Sequence, residues 1–199
     1  MSLKINHLVY FIPLLLYVII FSGGFKSFAN FNFSSTPFST IAIYTFKYFT
    51  LSFFEEFLFR GLILGLFLSA LPKTKEGVFL SVLLSSLFFG VVHIVNLWSI
   101  ENQTLKGVLN QIYAATCLGV MYGAIYVRTK NLILLGVFHF LTNFFASIGE
   151  LNFIQQPEIQ VLSTDETLLE IVINEILRLV IFGIPLFIGS FLILKTDSQ

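Results

Sequence analysis

The stretch FFEEFLFRGLILGLFL, residues 53–68, sets Glu55, Glu56 and Arg60 inside a run that is otherwise almost wholly apolar. Two further apolar runs each hold one histidine. His93 lies in FFGVVHIVN, and His139 lies in GVFHFLTNFF, where Asn143 follows four residues later on the same helical face. Glu56 and Arg60 are also at i, i+4, so they can close an ion pair that locks their helix into a bundle. Glu55 points about 100° away from Glu56. One arginine cannot easily serve both, which leaves Glu55 as the free carboxylate, the type of group that acts as a general base. A histidine by itself is as readily a hydrogen-bonded core residue as a reactive one. A free Glu, two His and an Asn on three separate helices are a set, and the set suits hydrolysis. Glu55 with His93 can hold and deprotonate a water for attack on a carbonyl. His139 and Asn143 can then donate hydrogen bonds to the developing oxyanion. Glu55, His93 and His139 are alternatively a donor set for Zn²⁺, although the chain has no HExxH spacing and no Cys near either histidine. No cofactor is predicted, with a divalent metal as the alternative. Cys117 and the serines lack an adjacent base, so they are weak nucleophile candidates.

The elements that must position these groups are membrane helices. The chain is 56% hydrophobic and 11% charged, with 25 Phe, and its mean hydropathy is +0.90; soluble domains carry about 25% charged residues. The expected fold is an all-α polytopic transmembrane helical bundle with about six spanning helices, at 8–23, 38–71, 77–98, 107–127, 131–149 and 168–194. The second is about 50 Å long at 1.5 Å per residue, so it must tilt, kink or begin at the interface. The first run shows no cleavage site followed by a soluble domain, and it reads as a retained helix. Residues 1–199 read as a single membrane domain, with 26–37 a short polar loop and 150–167 an acidic loop free of Lys and Arg. One Cys makes no disulfide framework, and a net charge of zero gives no sign of a nucleic-acid partner.

With the N-terminus inside, cytoplasmic segments hold Lys4, Lys73, Lys75, Arg128, Lys130 and Lys195, against Lys26 and Lys106 outside. The positive-inside rule then predicts a multi-pass protein of the cell membrane with both termini cytoplasmic. In that frame Glu55 and His93 both fall about 24 Å from the inner boundary, and Asn143 about 18 Å. The other ionisable groups at depth are Lys47, Glu170, Glu175 and Arg178; Glu175 and Arg178, at i, i+3, read as a structural pair. Gly61/Gly65 and Gly119/Gly123 have the spacing of close helix packing.

EEFLFRG at 55–61, FGVVH at 89–93 and HFLTN at 139–143 together resemble the CAAX protease and bacteriocin-processing family, the Abi group of intramembrane proteases related to type II CAAX prenyl endopeptidases. The family pattern is EExxxR, FxxxH and HxxxN or HxxxD in that order. It is met here by Glu55, Glu56 and Arg60, by Phe89 and His93, and by His139 and Asn143. The resemblance covers residues 45–149, the expected catalytic core. It implies an endopeptidase in which Glu55 and His93 activate water, His139 and Asn143 form the oxyanion site, and Glu56, Arg60 and Phe89 support them. The family has been described as metal-dependent, while the Glu-plus-His arrangement allows a metal-free mechanism, which is the one favoured. It also implies a peptide or C-terminal protein substrate, lipidated or not, met among membrane lipids, and roles in peptide maturation or bacteriocin immunity. Two rivals use the same residues: a non-catalytic binding or immunity protein, and a transporter. The second is disfavoured by the lack of an inverted repeat.

Overall fold

The computed structural model describes residues 9–21, 28–100, 103–148, 151 and 167–195. The acidic loop expected at 150–167 and the basic residues Lys4 and Lys26 fall outside this set, apart from Leu151 and Thr167. Among the described residues there is helix and no strand, as an apolar chain that must satisfy its backbone without water requires. A single 3₁₀ turn, Val9–Phe11, leads into α1, Ile12–Phe21. The long second element begins as α2, Phe38–Glu56, widens into a π-helical segment, Phe57–Ile63, and ends as α3, Leu64–Ala70. All three join through right-handed helical backbone, so this is one continuous rod. Then come α4, Lys75–Val92, a 3₁₀ turn His93–Val95, and the short α5, Asn96–Ser99. The last three are α6, Leu105–Thr129, α7, Leu132–Ser147, and α8, Leu168–Leu194.

Among the described residues, three segments are long and apolar enough to cross a membrane: Lys75–Ser99, Leu105–Thr129 and Leu168–Leu194. The fold is thus an all-α membrane bundle. Helix α7 has 16 residues, about 24 Å at the helical rise, which is short of a full hydrocarbon core. Its expected extent, 131–149, was longer.

Helix α6 is the central post. It packs antiparallel on α4, because Gly123 faces Val82, Gly119 faces Ser86, and Gly90 faces Ile112 and Thr116. These glycines are needed for closeness: a Cβ at Gly119 would stand 2.9 Å from that of Ser86. In lipid, where no hydrophobic force draws helices together, such close packing carries the association. The Gly61/Gly65 spacing differs, since Gly61 faces the flexible end of Leu132 and Gly65 meets nothing within 4 Å among the described residues. On its other side α6 runs parallel to α8. Tyr113 Oη donates to the Leu179 carbonyl at 2.9 Å, Gly189 lies on the backbone of Met121, and Arg128 donates to the Leu192 carbonyl. Gly189→Ala should destabilise the protein by about 1–3 kcal/mol, the usual cost of overpacking, because its Cβ would sit 2.8 Å from backbone atoms that cannot turn away. Thermal unfolding in detergent micelles checks this, and an unchanged midpoint would contradict the packing.

Helix α7 runs antiparallel to α2: Tyr44 meets Phe144, Phe49 meets Phe140, Phe53 meets Gly136, and Gly61 meets Leu132. Helix α1 closes the bundle, with Phe11 and Leu14 packed among Met121, Tyr122, Ile125 and Leu135. Many apolar residues of α8, among them Leu168, Ile176, Val180, Phe187 and Phe191, are exposed, the pattern of a helix with one face solvated by lipid. Glu170, expected at membrane depth, instead caps α8: its carboxylate accepts from the Thr167 backbone at 2.8 Å while Thr167 Oγ1 accepts from the Glu170 N–H. Glu175 pairs with Arg178 as expected, and also with Lys106. Lys47 is exposed and lies over the Tyr48 ring.

Candidate active site

The site is assembled where α2 passes into its π-helical segment. Seven residues with i→i+5 bonding begin directly after Glu56 and include Arg60; Leu64 N–H reaches back to the Phe59 carbonyl, five residues earlier. Such widened turns recur at functional sites. The Phe59 carbonyl also accepts from Ser85 Oγ of α4 at 2.9 Å, so the altered backbone ladder is braced from outside.

Glu56 is fully buried. Its Oε1 accepts from Arg60 Nη1 at 3.1 Å and from His139 Nδ1 at 2.7 Å, while Oε2 has no hydrogen-bond partner among the described residues. Arg60, 1% exposed, also donates from Nη2 to the Gly119 carbonyl at 3.4 Å. Its guanidinium lies 4.4 Å from the centre of the Phe89 ring and 5.3 Å from that of Tyr122. A desolvated cation over an aromatic face gains a cation–π attraction of about 2 kcal/mol or more. The expected ion pair of Glu56 and Arg60 is therefore present, and it has a third member in His139.

Glu55 is partly buried, with its side chain 14% exposed. Its Oε2 lies 3.4 Å from His139 Nε2. The two ring nitrogens of His139 thus face two adjacent carboxylates. Sequence spacing alone pairs Glu55 with His93, whereas the contact the structure makes is with His139. His93 stands where α4 tightens into its 3₁₀ turn. Its Nδ1 donates to the Phe89 carbonyl at 2.8 Å, which leaves Nε2 as the ring's acceptor. The Phe89 ring meets His93 edge-on at 5.1 Å and His139 edge-on at 5.8 Å. It lies between the two histidines and over Arg60. Asn143, one turn beyond His139, donates from Nδ2 to Ser52 Oγ at 3.0 Å.

Three contributors have no charge to announce them in the sequence. Ser52 is fully buried, one turn before Glu55 and Glu56 on α2. Tyr122 is fully buried, lies 4.9 Å from the His139 ring at 35°, and donates its hydroxyl to Thr142 Oγ1 at 3.0 Å. Thr142 passes that bond to the Phe138 carbonyl at 2.9 Å. The only signal for Ser52 and Thr142 was helical register beside Glu55 and Asn143.

Among the described residues, no group of three or more His, Cys, Asp or Glu is arranged to hold a metal ion. His139, the histidine such a set would share, has Nδ1 on Glu56 and Nε2 toward Glu55. His93 does not join Glu55 and His139 in such a group, so the three are not gathered as a Zn²⁺ donor set among the described residues.

What the geometry can do chemically is hold a partly open carboxylate against an imidazole inside a membrane bundle, with a second carboxylate and an arginine sealed behind them. No curated protein and no solved structure matches the chain. The family described as type II CAAX prenyl endopeptidase Rce1-like matches residues 37–145, a segment that runs from the start of α2 to near the end of α7 and contains every residue of the site. This membrane protein belongs to that protease family, the Rce1-like type II CAAX prenyl endopeptidases.

Proposed function

We propose that the chain is an intramembrane endopeptidase that hydrolyses a peptide bond with a water activated by Glu55. The observation that carries this reading is the meeting of Glu55 from α2 with His139 from α7, at 3.4 Å, with the ring's other nitrogen held by Glu56 at 2.7 Å. Glu55 takes the proton of the attacking water, and His93, whose Nδ1 is held by the Phe89 carbonyl, helps to hold that water through Nε2. His139 and Asn143 stabilise the oxyanion, a contribution of about 2.7–4 kcal/mol for one donor in comparable sites. Glu56, Arg60 and Phe89 position them. The substrate class is a peptide or a protein C-terminus held at the membrane, lipidated or not, and maturation of peptides or immunity to them is the setting proposed for it.

The chain is proposed to be multi-pass with its termini in the cytoplasm. In support, Lys75 at the start of α4 donates to the Leu194 carbonyl at 3.3 Å, and Arg128 near the end of α6 to that of Leu192. Basic residues thus gather at one end of the bundle, as the positive-inside rule favours for the cytoplasmic face.

The test compares protein and peptide termini from cells carrying the wild type or a Glu55→Gln/His93→Gln double variant at equal membrane levels. New termini confined to the wild type are expected, and they identify the substrate. Identical profiles, alongside a phenotype on deleting the whole chain, would leave a non-catalytic binding protein as the answer.

A further inference from the structure

The second glutamate of the EEFLFR stretch reads in the sequence as a mere counter-ion for Arg60. Its geometry does not match that role. Arg60 is already engaged by the Gly119 carbonyl and by the faces of Phe89 and Tyr122, yet Glu56 offers the same Oε1 to His139 at the shortest polar contact of the site, 2.7 Å. An oxygen that already accepts from an arginine is an acceptor, so the ring nitrogen facing it carries the hydrogen. The rival arrangement would place the ring hydrogen on Nε2, toward Glu55. That contact is longer, at 3.4 Å, and its carboxylate is 14% exposed, whereas the Glu56 side chain is 1% exposed. Shorter and drier hydrogen bonds to a charged acceptor are the stronger ones. They fix which nitrogen of a histidine holds the proton.

We propose, on the reading of this chain as a protease, that Glu56 is a positioning residue of the hydrolysis. It holds the Nδ1 hydrogen of His139, keeps the Nε2 lone pair turned to Glu55, and so makes His139 the group that receives the water proton from Glu55. A neutral His139 in this tautomer has no hydrogen on Nε2 and cannot donate to an oxyanion. It gains one during the reaction. As the water O–H bond breaks, its proton goes to Glu55 Oε2 and the hydroxide oxygen bonds to the carbonyl carbon. The proton then crosses from Oε2 to Nε2. The resulting imidazolium, with Glu56 on one nitrogen, donates Nε2–H to the oxyanion. When the C–N bond breaks, that proton leaves on the amine, and Glu55 and His139 return to their starting states. Arg60 and the Tyr122 and Phe89 rings, which face the same cluster, exchange no proton.

The tautomer can be read directly. With ¹⁵N-histidine-labelled protein in micelles, long-range ¹H–¹⁵N correlation separates Nδ1–H from Nε2–H rings, and loss of signals in His139→Asn identifies the residue among the three histidines. The wild type should show His139 as the Nδ1–H form. In Glu56→Gln, Glu55 becomes the sole carboxylate at the ring and the hydrogen should move to Nε2. If that variant does not fold, Glu56→Gln/Arg60→Met removes both charges of the buried pair and allows the same reading. On the peptide the wild type cleaves, kcat should fall roughly 100-fold or more, with KM within about twofold. An Nε2–H ring in the wild type overturns the proposal, and so does a moved hydrogen with kcat unchanged. A wild type that cleaves nothing overturns the protease reading itself, a failure the wild-type tautomer distinguishes from the first.

Discussion

Glu55→Gln should silence cleavage and spare the fold. The expected loss at saturating substrate is about 10²- to 10⁴-fold, the range for removing a positioned general base. Glutamine matches glutamate in shape, and Glu55 is partly exposed with one long contact, to His139 at 3.4 Å, so little packing depends on its charge. The change in unfolding free energy should stay within about 1 kcal/mol, as for other ion contacts outside the dry core. Single-turnover cleavage of the identified peptide, with thermal unfolding of the same preparation, measures both quantities. Retention of rate would remove Glu55 from the chemistry. A joint loss of rate and fold would make it a structural group.

Arg60→Met should have the opposite profile, with stability as the first casualty. Arg60 is the counter-ion of Glu56, and both are essentially inaccessible, at 1% and 0% exposure. Breaking a buried pair by removing one partner costs about 3–5 kcal/mol, because the other charge is left without compensation. Helix α6 also loses the tie from Arg60 to the Gly119 carbonyl. Adding Glu56→Gln to Arg60→Met should restore much of the loss, since two neutral side chains of similar volume carry no unpaired charge. The four proteins form a double-mutant cycle, read by unfolding in mixed detergent. A single variant that loses less than about 1 kcal/mol would mean that Glu56 is stabilised by His139 and not by Arg60.

Local relations were legible in the sequence, and the structure shows why. Glu56 and Arg60 lie four residues apart, where helical geometry alone makes side chains meet; the salt bridge at 3.1 Å is the result. The same holds for Glu175 with Arg178. The positions of the long helices were legible because apolar runs of that length form helices in such a chain: α8 occupies Leu168–Leu194 as expected. Where local rules conflicted, the reading was less complete. The extent of the second element exceeded one membrane crossing, and the chain keeps it as one continuous rod with a π-helical segment inside it. Ser85 Oγ of α4 donates to the Phe59 carbonyl within that segment, a contact no local pattern names.

Residue types, their order and the three spaced motifs by themselves determined the membrane bundle, the family, and the short list from Glu55 to Asn143. Only the tertiary structure decided which member of that list faces which. His139 lies 83 residues from Glu56 along the chain, and the rotation of α7 against α2 is set by packing: the Phe53 ring occupies the space that Gly136 leaves empty. With the helices seated in this way, Glu56 reaches His139 Nδ1 and Glu55 lies toward Nε2. A rotation of one residue, about 100°, would have offered the histidine to a different partner. Spacing within a helix is fixed by the backbone, and a sequence carries it openly. The angle between two helices depends on how distant side chains interlock, and it exists only once they have.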